Sequence, residues 1–308
     1  MDSARDSHPA VIGLLRRFRA QRPIRAGSLL MTMYGDALAP RGGTVTLASL
    51  IALAAPFGLS ERLVRTAVAR LAAEGWLTGS RHGRRSQYRL TDSGQEVFQE
   101  ATRRIYGTNP TDWDGHWRLL VLPPGRRSRR DLRQSLRWLG FGQISPGVFA
   151  HPACPLAQAR DWLASQPGMA HAWLFTSRTE GLAVDRRLVA AGWDLRDLAR
   201  RYRRFRDSFA PVAAAADLAS LPPASAFQVR TLLIHEYRKI HLQDPLLPPS
   251  LLPREWIGTE AYALCRWLYA GVFAAAEDHL TQTAATVHEP LPPAAPAAYR
   301  RFGGFARR

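Results

Sequence analysis

The chain has 308 residues, 46% hydrophobic and 22% charged, with a formal net charge of +17 at pH 7. That apolar share supports two or three domains with real cores and excludes wholesale disorder. Arginine carries the basic excess, Lys239 being the one lysine, and it favours a polyanionic partner even after discounting for a GC-rich coding sequence.

Residues 1–25 are polar and basic and read as a flexible arm. Residues 26–35 read as a first helix, with Ser28 as its cap, and Gly42-Gly43 breaks the chain after it. Thr46 is placed to cap a helix over 47–55, Pro56-Phe57-Gly58-Leu59 reads as a turn, and Ser60 is placed to cap a second helix over 61–74. In that second helix Val64, Ala67, Val68 and Leu71 recur at i, i+3, i+4 and i+7 and face a core. Arg62, Arg65, Thr66, Ala69 and Arg70 therefore point outward. An outward face with three arginines, presented by a preceding helix and turn, suits the major groove of DNA, because a guanidinium can donate two hydrogen bonds to a guanine edge or neutralise phosphate.

A hairpin follows. Residues 76–78 and 86–90 read as strands around a basic turn containing Arg81, His82, Gly83, Arg84 and Arg85, and a further helix runs from Thr91 to about Tyr106. Helix-turn-helix followed by a two-stranded hairpin is the winged-helix arrangement. The expected DNA contacts are Ser60, Arg62, Arg65, Thr66 and Arg70 on the helix and Arg81, His82, Arg84 and Arg85 on the wing, within a domain spanning 26–108.

Residues 109–180 have a different rhythm. Strand 117–122, helix 129–139, strands near 143–144 and 147–151, helix 156–164 and strand 170–175 follow in the order of a ferredoxin-like domain. This domain is expected to pair protomers. Residues 181–287 read as mainly helical, with an arginine-dense helix over 193–209, helices over 227–242 and 260–283, and a proline-rich loop over 245–253. Residues 288–308, rich in proline, glycine and arginine, read as a disordered tail. The fold class is α+β and multidomain.

Chemistry is sparse. No nucleophile elbow, P-loop, dinucleotide fingerprint or zinc-protease helix occurs, so no catalytic residue, metal or cofactor is assigned. His235-Glu236 opens like a zinc helix, but the position four after His235 is Lys239; His279 and His288 lack partners at ligand spacing. Cys154 and Cys265 lie far apart and make neither a disulfide framework nor a zinc pattern, which fits a reducing cytoplasm. The N-terminus has no signal-peptide core, and the longest apolar run, 267–276, is too short to span a bilayer. A cytoplasmic protein with no membrane partner is expected.

The middle segment resembles the CRISPR-associated Cas2 fold, which raises a metal-dependent nuclease as an alternative. The resemblance implies carboxylates at the end of the first strand. Here that strand ends in Leu122-Pro123-Pro124, and Asp112 and Asp114 precede it. A DNA-binding protein without a ligand is the other alternative.

Near the C-terminus, Arg230, the run His235-Glu236-Tyr237-Arg238, the run Asp244-Pro245-Leu246-Leu247-Pro248, Leu251-Leu252-Pro253 and Trp256 mix cations, carboxylates and bulky apolar groups around a stiff loop. Read alone, they fit equally a site for a ligand with anionic and aromatic parts or a braced packing loop. These residues, the segment from Leu59 to Ala67 and the order of domains resemble the PaaX family of bacterial repressors of phenylacetic acid catabolism, over about residues 26–285. The resemblance implies a homodimer that binds double-stranded operator DNA and is released by phenylacetyl-CoA or a similar acyl-CoA. By motif position it also implies effector contacts at Arg230, His235, Arg238, Asp244 and Trp256.

Overall fold

The computed structural model describes residues 8–21, 23–107, 113–122, 129–166, 171–215 and 217–305. The chain folds into two compact units, one made of Met1–Gly107, Arg204–Lys239 and Glu260–Arg308, the other of Thr108–Arg203 and Ile240–Thr259. The mixed α+β architecture of the sequence reading is the one observed.

The first unit starts with α1 (Pro9–Ala20) and α2 (Ala26–Met33). A π-turn over Tyr34–Leu38 and a 3-10 turn over Ala39–Arg41 extend α2. Then come β1 (Val45–Thr46), α3 (Leu47–Ala54), α4 (Glu61–Ala73), β2 (Leu77–His82), β3 (Arg85–Leu90) and α5 (Asp92–Tyr106). The hydroxyls of Thr46 and Ser60 cap α3 and α4 as expected, and Thr91, read as the first residue of its helix, is instead the cap of α5; each accepts from a backbone N–H three residues on. Ser28 does not cap α2. The helix begins at Ala26, so Ser28 already lies inside it. The sheet runs β1-β3-β2, antiparallel throughout.

Two terminal expectations are corrected. The arm read as flexible contains α1, in which Val11, Leu14, Leu15 and Phe18 are buried along one face; residues 1–7 lie outside the described set. The tail read as disordered is folded. Ala285 bridges Pro290, the Ala295 N–H donates to the Pro40 carbonyl at 2.8 Å, and the helical turns Pro296–Gly303 bury Ala298, Arg301 and Phe302. Residues 306–308 are outside the described set.

The second unit contains β4 (Trp117–Val121), α6 (Arg129–Trp138), β5 (Gly142–Ser145), β6 (Val148–His151), α7 (Leu156–Ser165), β7 (Trp173–Ser177) and α8 (Leu182–Gly192). Its sheet order, β5-β6-β4-β7 with every pair antiparallel, is the ferredoxin-like topology. One face carries Leu120 and Phe149 and is covered by Leu136 of α6 and Ala159 of α7. The other face carries Trp117 and Ala150 and packs on Val189 of α8 and on Leu247 and Leu251 of the proline-rich loop.

The remaining helices are α9 (Leu195–Ala215), α10 (Pro223–His241) and α11 (Ile257–Thr283). Each of them has residues in both compact units. The proline-rich loop belongs to the second unit because its leucines cover a sheet face there. Most of α10 belongs to the first unit because its apolar face packs there: Phe227 meets Phe57 edge-on at 6.3 Å between ring centres, and His235 meets Phe18 at 5.8 Å. No described helix is long and apolar enough to cross a membrane.

Candidate nucleic-acid interface and effector residues

Helix α4 has the geometry its periodicity demands. Val64, Ala67, Val68 and Leu71 are buried, while Arg62, Arg65, Thr66, Ala69 and Arg70 are exposed. Arg62 makes no ion pair among the described residues. Arg65 donates twice to the Glu61 carboxylate, at 2.8 and 2.6 Å, and Arg70 lies 3.5 Å from the Glu74 carboxylate. Such exposed i,i+4 pairs are worth about 0.3–0.5 kcal/mol, so both guanidiniums are free to exchange a neighbouring carboxylate for phosphate or a base edge. Thr66 has donated its hydroxyl hydrogen to the Arg62 carbonyl at 2.9 Å and keeps its lone pairs for an incoming donor. Ser60 serves the cap, accepting from the Leu63 N–H at 3.3 Å.

The wing is tighter than its sequence suggests. The strands extend to His82 and from Arg85, leaving a two-residue loop of Gly83 and Arg84. Gly83 takes φ +59°, which a hairpin loop this short requires and a side chain resists. Arg81, His82, Arg84 and Arg85 are all exposed around that tip. The segment following α11 braces the hairpin from one side. The Thr46 N–H donates to the Ala285 carbonyl at 3.0 Å, the Val287 N–H to Gln87 Oε1 at 3.3 Å, and the His288 ring stands edge-on to His82 at 5.3 Å. No local motif announced this brace, since its partners lie about two hundred residues apart in the chain.

The residues named for an effector are divided between the units. Arg230, His235 and Arg238 belong to the first, Asp244 and Trp256 to the second. Arg230 is fully buried. Its Nε donates to Asp36 Oδ2 at 2.7 Å, its Nη2 to the Asp36 carbonyl at 2.8 Å and its Nη1 to Glu277 Oε1. All three donor nitrogens are engaged within the protein, so Arg230 is a structural cation and not an open ligand contact. Arg238 donates to Thr32 Oγ1 and to the Ser28 carbonyl and hydroxyl, each at 2.8 Å. His235 shares the same Thr32 hydroxyl through Nδ1 at 2.9 Å. Burial, reinforced by the nearby Lys239 and Arg238 cations, lowers the His235 pKa well below its ordinary value, so the ring is neutral at pH 7. These two side chains tie α10 to α2.

In the second unit, Asp244 is buried and accepts from the Tyr202 hydroxyl at 2.7 Å and from the Leu246 N–H at 2.8 Å. It thereby holds Leu246 in the left-handed region, φ +51°. Trp256 packs edge-on against Tyr202 at 6.3 Å.

Sequence reasoning missed the residues around Arg230. The π-turn directs Asp36 inward, where it also accepts from the hydroxyls of Tyr106 and Tyr269, at 2.7 and 2.8 Å, and from Arg301 Nη1 at 2.9 Å. Glu277 in turn accepts from Arg41 Nε at 2.7 Å. Burial by itself would raise the Asp36 pKa. The cations of Arg230 and Arg301 and the two tyrosine hydrogen bonds outweigh it and hold the carboxyl below its usual value.

No set of three or more His, Cys, Asp or Glu side chains among the described residues is arranged to hold a metal ion. His235 Nε2 and Glu236 Oε1 are 4.0 Å apart. Asp114, ahead of β4, is paired with Arg118 at 2.7 Å; Asp112, Pro123 and Pro124 are outside the described residues.

Three family models match: "PaaX-like protein" over residues 25–94, "PaaX protein central Cas2-like domain" over 110–189 and "PaaX-like protein C-terminal domain" over 193–282. The chain is 38% identical over 293 residues to the transcriptional repressor PaaX of Escherichia coli K12, covering 92% of both chains. Among solved structures, an uncharacterized protein from Mycobacterium tuberculosis aligns with a TM-score of 0.49 and 25% identity, over 75% of this chain and 91% of that one.

Proposed function

The chain belongs to the PaaX family, and from that premise we propose that it is a DNA-binding transcriptional repressor, with no catalytic step of its own. In this reading it is a cytoplasmic homodimer controlling genes for phenylacetate or related aromatic-acid catabolism, and phenylacetyl-CoA or a similar acyl-CoA releases it from its operator. The observation that carries the DNA-binding part is the outward face of α4, where Arg62, Arg65 and Arg70 stand exposed beside the arginine-rich wing tip. Two such helices, one per protomer, would read half-sites about one helical turn apart, roughly 34–36 Å, or a multiple of it.

Support for pairing comes from β7. It is an edge strand, and it exposes Trp173 at 58% and Phe175 at 50%. Monomers rarely leave two large aromatics open along an unpaired strand edge. For release, the ligand must bind the DNA-competent and incompetent geometries with different affinities. Arg238 and His235, which link α10 to α2, fit a coupling role in that change better than direct ligand contact.

Replacing Arg65 by Ala tests the assignment of α4. Loss of a bidentate base contact weakens operator binding by about 1–3 kcal/mol and leaves binding to random duplex much less affected. Fluorescence anisotropy on the two duplexes measures both. An unchanged operator-to-random ratio would remove Arg65 from the reading surface.

A further inference from the structure

Two grooves in the second unit meet at residues 192–195, the joint between α8 and α9. One, of about 980 Å³, has Trp138, Phe141, Trp162 and Trp193 in its lining, together with charged groups such as Arg137 and Asp197. The other, of about 1010 Å³, carries Arg186, Arg196 and Arg254 around Leu252 of the proline-rich loop. Pockets for single small ligands occupy about 300–1,000 Å³, so the pair has room for a long molecule.

The arginine groove is short of negative charge. Its three guanidiniums are exposed and make no ion pair among the described residues, whereas Arg200 on the same helix as Arg196 is held by Asp197. Asp194 is the one carboxylate in the lining, and it is committed to the start of α9, accepting from the Asp197 N–H at 2.9 Å. Three like charges converge around one groove at a cost that a bound polyanion would remove. Arginine suits phosphate in particular, since its planar fork donates two parallel hydrogen bonds to a pair of oxygens.

The divider between the grooves is rigid. Trp193 Nε1 donates to the Gly140 carbonyl at 3.1 Å, and its ring lies so close to Gly142 that a Cβ there would sit 2.5 Å away. Trp193 is therefore a preset wall of the aromatic groove, which lowers the ordering cost of binding a flat ring against it.

We propose that the two grooves form one elongated site for an aryl-acyl thioester of a phosphorylated nucleotide carrier, the aryl group among the tryptophans and the phosphates at Arg186, Arg196 and Arg254. The assignment rests on the acyl-CoA reading above. It moves the ligand contacts away from Arg230, His235 and Arg238. It leaves Asp244 and Trp256 as positioning residues, which set the proline-rich loop that walls the arginine groove.

The test is calorimetric titration of the full chain with phenylacetyl-CoA, with free CoA and with phenylacetate. Substituting Arg186→Gln, Arg196→Gln and Arg254→Gln together weakens phenylacetyl-CoA binding at least about tenfold and flattens its salt dependence. Operator affinity without ligand is unchanged in that variant, which also controls for folding. Arg254→Glu alone gives a smaller loss in the same direction. Trp138→Ala reduces the preference for phenylacetyl-CoA over CoA. If the native chain binds the thioester and the triple variant binds it equally well, the site is wrong and the effector reading stands. If the native chain binds no thioester, the effector reading fails and takes the site with it. Unchanged acyl preference in Trp138→Ala would overturn the placement of the aryl group.

Discussion

Arg230→Met lowers the unfolding free energy by about 3–5 kcal/mol, the range for breaking a buried ion pair from one side. The chain is marginally stable like any other, with about 5–15 kcal/mol in hand, so the loss is a large fraction of the whole. Methionine fills much of the volume, and the damage is electrostatic. Asp36 and Glu277 remain buried, Asp36 at 2% exposure, without the cation they share. Arg301 still reaches Asp36, and Arg41 still reaches Glu277, which limits the loss.

The same cluster carries a pH dependence whose sign follows from Asp36. Its folded pKa lies below the unfolded value of about 3.9. The folded state therefore binds fewer protons, and the stabilisation is complete above pH 4 and lost as pH falls through the folded pKa. In Arg230→Met, burial is opposed by one cation fewer, so the Asp36 pKa rises. The gap between native chain and variant is then widest near neutrality and narrows as pH falls through the raised Asp36 pKa of the variant. Urea denaturation at pH 7 and pH 3.5 measures both effects. A loss under 1 kcal/mol at pH 7 would show the cluster to be dispensable.

Phe302→Ala has an effect of similar size, about 3–5 kcal/mol, as expected for emptying a buried aromatic site. The Phe302 ring is 1% exposed and meets Tyr106, Tyr262 and Tyr269 at centroid distances of 5.2, 5.7 and 5.3 Å. Its backbone lies at φ +53°, a conformation that costs a non-glycine residue about 1–3 kcal/mol and persists only when the surroundings enforce it. Alanine keeps that strain and forfeits the packing that compensates for it. The variant should also release the adjoining Arg301 from Asp36, and limited proteolysis should then cut within 290–305 while the native chain resists. Equal stability and equal resistance would return the segment to the status of a loose tail.

The contrast between these two sites and α4 explains what the sequence disclosed. The cap-and-period signals of α3, α4 and α5 are local: Thr46, Ser60 and Thr91 each bond a backbone N–H three residues away, and the buried stripe of α4 repeats within two turns. The ferredoxin-like order of strands and helices was legible for the same reason. Helix α1 is legible in principle, since Val11, Leu14, Leu15 and Phe18 fall on one face, but Arg16, Arg17 and Arg19 give the segment the composition of a polar, basic arm.

The buried cluster had no such signal. Arg230 and Asp36 are 194 positions apart, and Arg301 and Asp36 are 265 apart. The π-turn that directs Asp36 inward follows from its tertiary partners, and nothing in the run Tyr34-Gly35-Asp36-Ala37-Leu38 announces it. For that reason Arg230, conspicuous in the sequence as a cation among apolar residues, was read toward a ligand when its partners are carboxylates of the same chain. The sheet contacts of the proline-rich loop, Leu247 and Leu251 against Trp117 and Ala150, are likewise remote in sequence.

One binding experiment bears on the whole account. The full chain is titrated by fluorescence anisotropy onto labelled duplex from the region upstream of its own gene, against random duplex of equal length, with and without phenylacetyl-CoA. The expected result is a preference for the upstream duplex at physiological salt of about 10³-fold or more, as is typical of specific regulators, and release on adding the thioester but not free phenylacetate. Equal affinity for both duplexes, or an upstream complex indifferent to saturating phenylacetyl-CoA, would contradict it.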